Sequence, residues 1–206
     1  MILWSPETDF WNMEEIMDID PKKTAVLGLD IQEGILGFAP QAGAVMANAA
    51  KAVETARKGG SLLLHVGIGF EPGYPEISPR HPRFSMIKGR GLFIKGSESA
   101  RIHPSIFMPG DIVIYKHRVS AFSGNELQMI LGSQGIEVLV LFGISTSGVV
   151  LSTVRLAGDL DFKCVVIKDA CFDSDEEVHR VLTEKVFASQ ATVITAKEFQ
   201  TGFAGG

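Results

Sequence analysis

The sequence predicts an α/β protein: a parallel sheet with helices packed on both of its faces. Three observations predict it. Short, nearly continuous apolar runs of strand length recur along the chain, as in strands buried on both faces. Segments with helical spacing lie between them, and alternation of the two implies parallel pairing. The runs end on a polar residue or a glycine, at Asp30, Lys116, Gly143 and Asp169.

The elements follow in order. Thr24 to Leu29 is the first strand, ending at Asp30. From about Ala42 to Lys58, Met46, Ala49, Ala50, Val53 and Ala56 recur at helical spacing, and Gly59-Gly60 stops that helix. Ser61 to Ile68 is the second strand. Gly69 to Gly110 holds six of the nine prolines and four arginines, Arg80, Arg83, Arg90 and Arg101. A stretch this long inside a compact domain is expected to be a functional lid or a subunit contact. Asp111 to Tyr115 is the third strand, ending at Lys116. Asn125 to Leu131 is a helix stopped near Gly132 to Gly135, and Glu137 to Phe142 is the fourth strand. Thr146 to Ala157 is a helix with Val149, Val150, Val154 and Leu156 on its apolar side. Phe162 to Ile167 is the fifth strand. Ser174-Asp175-Glu176-Glu177 reads as a capping box opening a helix to about Phe187, and Ala191 to Thr195 is the last strand.

Composition bounds the function. The chain has 206 residues, which fits one domain over 1–206, with an aromatic lead-in over 1–21 carrying Trp4, Phe10 and Trp11. The net charge of −5 gives no electrostatic ground for a nucleic-acid partner. No apolar run approaches the roughly 18–20 residues of a membrane span, and the N-terminus lacks the pattern of a signal peptide. Cys164 and Cys171 make neither a metal-ligand pattern nor a disulfide framework. The expectation is a soluble, cytoplasmic protein with a small-molecule substrate, no cofactor and no contact with membrane or nucleic acid. The aromatic lead-in and the long segment suggest a homodimer or homotetramer.

In open parallel sheets ligands bind beyond the carboxyl ends of the strands, where strand order reverses. Asp30 and Lys116 lie at such ends. A close ammonium lowers a carboxylate's pKa, so a pair there would keep Asp30 ionised as a base. From spacing alone they are equally two unrelated strand-end charges. Gly143-Ile144-Ser145-Thr146-Ser147-Gly148 is a strand-to-helix turn whose amides could bind an anion or developing oxyanion; Ser or Thr there is more often an N-cap.

Three motifs in this order and spacing resemble one family, the isochorismatase-like or cysteine hydrolases, over about residues 22–199. They are Ala25-Val26-Leu27-Gly28-Leu29-Asp30-Ile31-Gln32, Tyr115-Lys116-His117-Arg118-Val119-Ser120-Ala121-Phe122, and Leu141-Phe142-Gly143-Ile144-Ser145-Thr146 through Ser152-Thr153, with Val166 to Ala170 behind them. The resemblance implies a Rossmann-like three-layer α/β/α sandwich around a parallel sheet of about six strands. It implies that Asp30 and Lys116 are two members of an Asp–Lys–Cys triad and that the Ile144–Ser145 peptide is cis. The third member falls on Val149, which has no nucleophilic atom.

The family holds a precedent for losing the thiol. True isochorismatases cleave an enol ether with no covalent intermediate, though they carry glycine where this chain has Val149. The metal-binding nicotinamidases place Asp and His after the second strand. Here His65 is followed by Gly67-Ile68-Gly69-Phe70, so no metal is expected. His65 reads as a strand-end packing or substrate residue, and His81 and His103 as loop surface. The leading expectation is a non-thiol hydrolase of an amide or enol-ether bond. Asp30 transfers a proton or activates water, Lys116 holds its charge, and amides around Ser145 and Val149 receive negative charge. Gln32, Phe38, Phe70 and Phe122 are expected to line the pocket with Ile144 and Thr146. The alternatives are an inactive small-molecule-binding homologue and a thiol hydrolase using Cys171. The arginines of 69–110 hint at a carboxylate on the substrate.

Overall fold

A computed structural model describes residues 19–203. The lead-in expected over 1–21 lies outside the described residues except for its last turn, Pro21–Lys23, whose Lys22 amide is capped by Asp20. Six strands form one sheet: β1 (Thr24–Leu29), β2 (Leu62–Ile68), β3 (Ile112–Lys116), β4 (Val138–Gly143), β5 (Lys163–Ile167) and β6 (Thr192–Ile194). All pairs are parallel, in the order β3-β2-β1-β4-β5-β6.

Seven α-helices accompany them among the described residues: α1 (Glu33–Phe38), α2 (Met46–Gly59), α3 (Pro82–Gly89), α4 (Leu127–Ser133), α5 (Leu151–Asp159), α6 (Glu176–Val181) and α7 (Ala196–Phe203). From β1 the chain steps outward through β2 to β3, then returns to β4 and steps the other way. With right-handed crossovers, α2 and α5 therefore cover opposite faces, and α7 packs back against α2. The result is a three-layer α/β/α arrangement whose core is the buried run of β1 and β4 with Leu64, Val66, Val165 and Val166.

Boundaries moved where local chemistry intervened. The helix expected from Ala42 starts at Met46, because Pro40–Val45 winds as a tighter turn. The helix expected from Thr146 opens with one wide turn, Thr146–Val150, and runs to Asp159. Asp175, not Ser174, caps α6, its carboxylate accepting from the amides of Glu177 and Val178. The proline-rich 69–110 segment is more than a loop. It carries α3 over a second, smaller core of Ile68, Phe70, Tyr74, Ile77, Phe84, Ile87 and Phe93.

Candidate active site

Asp30 follows the last residue of β1 with φ 53°, in the left-handed region that Asp tolerates better than most side chains. Its amide still donates to the Val66 carbonyl at 2.8 Å, so the sheet fixes the turn. Lys116 ends β3, two strands away, opposite Ile68 of β2. Its Nζ lies 3.0 Å from Asp30 Oδ2 and donates to the Arg118 carbonyl at 3.0 Å. Both side chains are buried, Lys116 at 1% and Asp30 at 7% exposure. Asp30 Oδ1 is buried and has no hydrogen-bond partner among the described residues.

Burial pushes the Asp30 carboxyl above its ordinary value, and the Lys116 ammonium and, more weakly, Arg83 oppose that push. The sequence reading expected the opposite direction. It counted the attraction of the ammonium and not the cost of removing a carboxylate from water, which dominates here.

β4 ends at Gly143, opposite Leu29 of β1. The strands approach so closely that a Cβ on Gly143 would lie 2.1 Å from the Leu29 carbonyl oxygen, and its φ of 153° suits glycine. The next peptide, Ile144–Ser145, is cis. Three contacts hold the turn: the Thr146 amide donates to the Phe172 carbonyl at 2.9 Å, the Ser147 amide to Asp173 Oδ2 at 2.7 Å, and Thr146 Oγ1 lies 2.8 Å from His179 Nδ1 of α6. Burial lowers the His179 pKa against the pull of Asp173.

A cavity of about 360 Å³ opens over these strand ends. Asp30, Lys116, Ile144, Ser145, Gly148 and Val149 line it, together with Phe38 of α1 and Arg83, Phe84, Met86, Ile87, Arg90 and Phe93 of the α3 region. Asp30 is the sole carboxylate on its walls among the described residues.

Several expected pocket residues lie elsewhere. Gln32 is fully buried; its Nε2 donates to the carbonyls of Ile68 and Ala100, and its Oε1 accepts from the Ile68 amide, each at 2.8 Å. It braces backbone, because those groups have no other way to be satisfied there. Phe70 fills the smaller core, its ring 6.0 Å from Phe84. Phe122 stacks on Phe162 at 6.0 Å. Thr146 is buried under His179 rather than in the cavity wall. Asp169 accepts from the Ala196 amide at 2.7 Å. His65 sits within β2, not at its end, and its Nε2 lies 3.1 Å from Asp111 Oδ2. His81 packs on Phe84 beside α3, their ring centres 4.4 Å apart.

Cys171 also lies outside the cavity wall. It is 2% exposed, and burial raises its thiol to about 12, as it does for Cys164. A thiol held protonated in this way is no nucleophile at neutral pH. Of the four arginines of 69–110, Arg83 and Arg90 line the cavity, while Arg101 pairs on the surface with Glu33 and Glu98. The sequence reading missed Ile35, Arg118, Phe172 and Ser174 as cavity residues. Arg118 lies in the bend beyond the end of β3, where no strand periodicity could have placed its side chain.

Comparison with known proteins points to one family. The family model of the isochorismatase domain matches residues 24–198. An uncharacterised isochorismatase-family protein of Bacillus subtilis, YwoC, is 31% identical over 188 residues, 91% of this chain and 97% of that one. Another from Escherichia coli, YecD, is 31% identical over 89% of this chain and 97% of that one. Among solved structures, a cysteine hydrolase from Pseudomonas syringae superposes with a TM-score of 0.82 at 15% identity, covering 90% of this chain and 94% of that one. The N-carbamoylsarcosine amidase of Thermoplasma acidophilum superposes at 0.67 with 27% identity, over 84% and 96%. A domain match spanning most of the chain, with relatives similar along nearly their full length, places this chain in the isochorismatase family.

Proposed function

We propose that this protein hydrolyses a small molecule without a thiol nucleophile, with Asp30 as the proton-transfer group. The observation that carries the reading is the buried Asp30–Lys116 pair, whose Asp30 Oδ1 is left unpartnered in a residue that lines the cavity. Maintaining such a pair costs desolvation energy that packing alone does not require, which supports a chemical role. A carboxyl raised by burial is suited both to give and to take a proton. On an amide, Asp30 takes a proton from water as the water oxygen bonds to the carbonyl carbon, and returns it to the leaving nitrogen. On an enol ether, it protonates the vinyl carbon; water adds to the resulting oxocarbenium ion and gives a proton back to Asp30, and the hemiketal so formed collapses to a carbonyl as the alcohol leaves with that proton. The amides of Ser145 and Val149, residues that border the cavity, receive the charge that develops on oxygen, since those of Thr146, Ser147, Gly148 and Val150 are already donated to protein acceptors. Lys116 keeps the ionised form of Asp30 accessible.

The test is turnover of a panel of amides, carbamoyl compounds and vinyl ethers. Asp30→Asn is expected to lower the rate by about 10²–10⁴-fold; turnover untouched by this change would sink the reading. Val149 favours a second reading, a binding homologue that keeps the pocket without the chemistry. Ligand binding with no turnover across the panel would establish it. We also place the protein in the cytoplasm, on its two free thiols, and as a homodimer or homotetramer, which sedimentation would decide. Among the described residues no helix is long and apolar enough to cross a membrane.

A further inference from the structure

We infer that His179, which lies outside the cavity wall, is a positioning residue of this site: through the Thr146 hydroxyl it fixes the turn that presents Ser145, Gly148 and Val149 to the cavity. His179 in this role rests on the hydrolytic reading above and adds a residue to it. Thr146 follows Ser145 directly and is fully buried. A hydroxyl taken out of water needs a partner within the protein. Among the described residues that partner is His179 Nδ1, at 2.8 Å. The two residues are 33 positions apart, so the contact ties the turn to a different element.

That element is itself held. His179 sits on α6, which Asp175 caps at its start, and the chain beyond α6 is anchored in the main core by Leu182 and Phe187. The Thr183 hydroxyl donates to the His179 carbonyl at 2.9 Å. Asp173 closes the circuit. Its Oδ2 accepts from the Ser147 amide at 2.7 Å, and its Oδ1 accepts from the Asp175 amide at 3.4 Å. The turn is thus gripped twice from one side, at its backbone by Asp173 and at a side chain by His179. The second grip falls on the first residue of the wide turn Thr146–Val150. Wide turns of this kind are rare departures from the α-helix and need such fixing. Groups that receive developing charge act only where their position is set beforehand, and a displacement of about 1 Å can cost about 100-fold in rate.

Steady-state kinetics on the panel compound turned over fastest, with hydrogen exchange of the peptides covering 143–150, tests this. His179→Leu removes the contact, Thr146→Val removes the hydroxyl and keeps the branched shape, and His179→Asn keeps a polar atom near the place of Nδ1. In His179→Leu and Thr146→Val kcat should fall by about 10–100-fold with KM within about threefold of the parent, and exchange over 143–150 should quicken. His179→Asn should recover most of both. The double variant should be no slower than the slower single one, because both changes break one contact. A parent-like kcat in His179→Leu, no recovery in His179→Asn, or losses that multiply in the double variant would each overturn the inference. If His179→Leu does not fold, Thr146→Val, which leaves α6 intact, gives the same reading. Asp30→Asn separates the two proposals. Turnover lost there but unchanged in His179→Leu removes the role of His179 alone; the reverse removes the role of Asp30 alone. If the parent turns over nothing, the hydrolytic reading falls, and exchange then decides: faster exchange in both contact-breaking variants sustains the hold of His179 on the turn, and unchanged exchange removes it.

Discussion

Asp30 carries two opposed demands. Its charge is expensive where it sits, since burial raises its pKa, yet the reaction proposed on an amide needs it ionised. The sign follows from linkage. A carboxyl whose folded pKa is raised favours the folded state while protonated, below the unfolded value of about 3.9, and that contribution is lost as pH rises through the folded value. Catalysis by the base form runs the other way. The acid limb of kcat/KM for an amide substrate is therefore expected above the ordinary aspartate range. Lys116 sets how far above. Lys116→Met removes the ammonium 3.0 Å from Oδ2 while keeping an unbranched, buried side chain. It is expected to move the acid limb further up and to lower kcat/KM at pH 7 by at least tenfold. A pH–rate profile measures this, and an acid limb that stays in place would mean Lys116 does not act through the Asp30 charge.

At the level of elements, what was legible depended on whether a pattern was long and regular. The β1 run, Thr24 to Leu29, was readable because a strand buried on both faces has to be apolar throughout, and the turn after β4 because an apolar run ends there at a glycine; the close approach to Leu29 that Gly143 allows was not. The 69–110 segment was not, since its core is small, assembled from scattered residues, and interrupted by prolines. Its attachment was misread for the same reason. Gln32 looked like a pocket residue beside Asp30, but its amide ties the end of β2 to the backbone at Ala100. Gly67 makes room for it: a Cβ there would come 2.6 Å from the Gln32 amide carbon. Gln32→Leu leaves two buried carbonyls and one amide hydrogen with no partner, and is expected to cost about 3 kcal/mol or more. Denaturant unfolding measures the loss. A cost near zero would show that water replaces the glutamine and that the segment is held otherwise.

The whole molecule divides its polar groups between the two ends of its sheet. The reversal of strand order between β1 and β4 places Asp30 and the Ile144–Ser145 peptide side by side, and no local pattern in the sequence gives that neighbourhood; it follows from connection rules alone. Away from the carboxyl ends lies a second, partly buried cluster. His65 of β2 contacts Asp111, just before β3, and Asp111 also takes the guanidinium of Arg57 from α2 and the Met108 amide. The cluster joins both central and edge strands to the helix layer, so its protonation bears on global stability. Burial lowers the His65 pKa, opposed by Asp111 and aided by Arg57. Its Nδ1 is buried with no partner among the described residues, so a second proton would have nowhere to be solvated. The unfolded chain takes up that proton near pH 6.5 and the folded chain does so only at lower pH. Stability should therefore be full above about pH 6.5 and fall as pH drops below it, until the lowered folded value is passed. Asp111 adds loss at more acidic pH: burial works to raise its carboxyl, but the Met108 amide, His65 and Arg57 together hold it below the usual range. His65→Gln keeps a donor within reach of Asp111 and removes the titration. Melting temperatures between about pH 5 and 7.5 should fall less steeply with acid for this variant than for the parent, His179 keeping its own share of the slope, whereas parallel slopes would assign the acid sensitivity to groups outside the cluster.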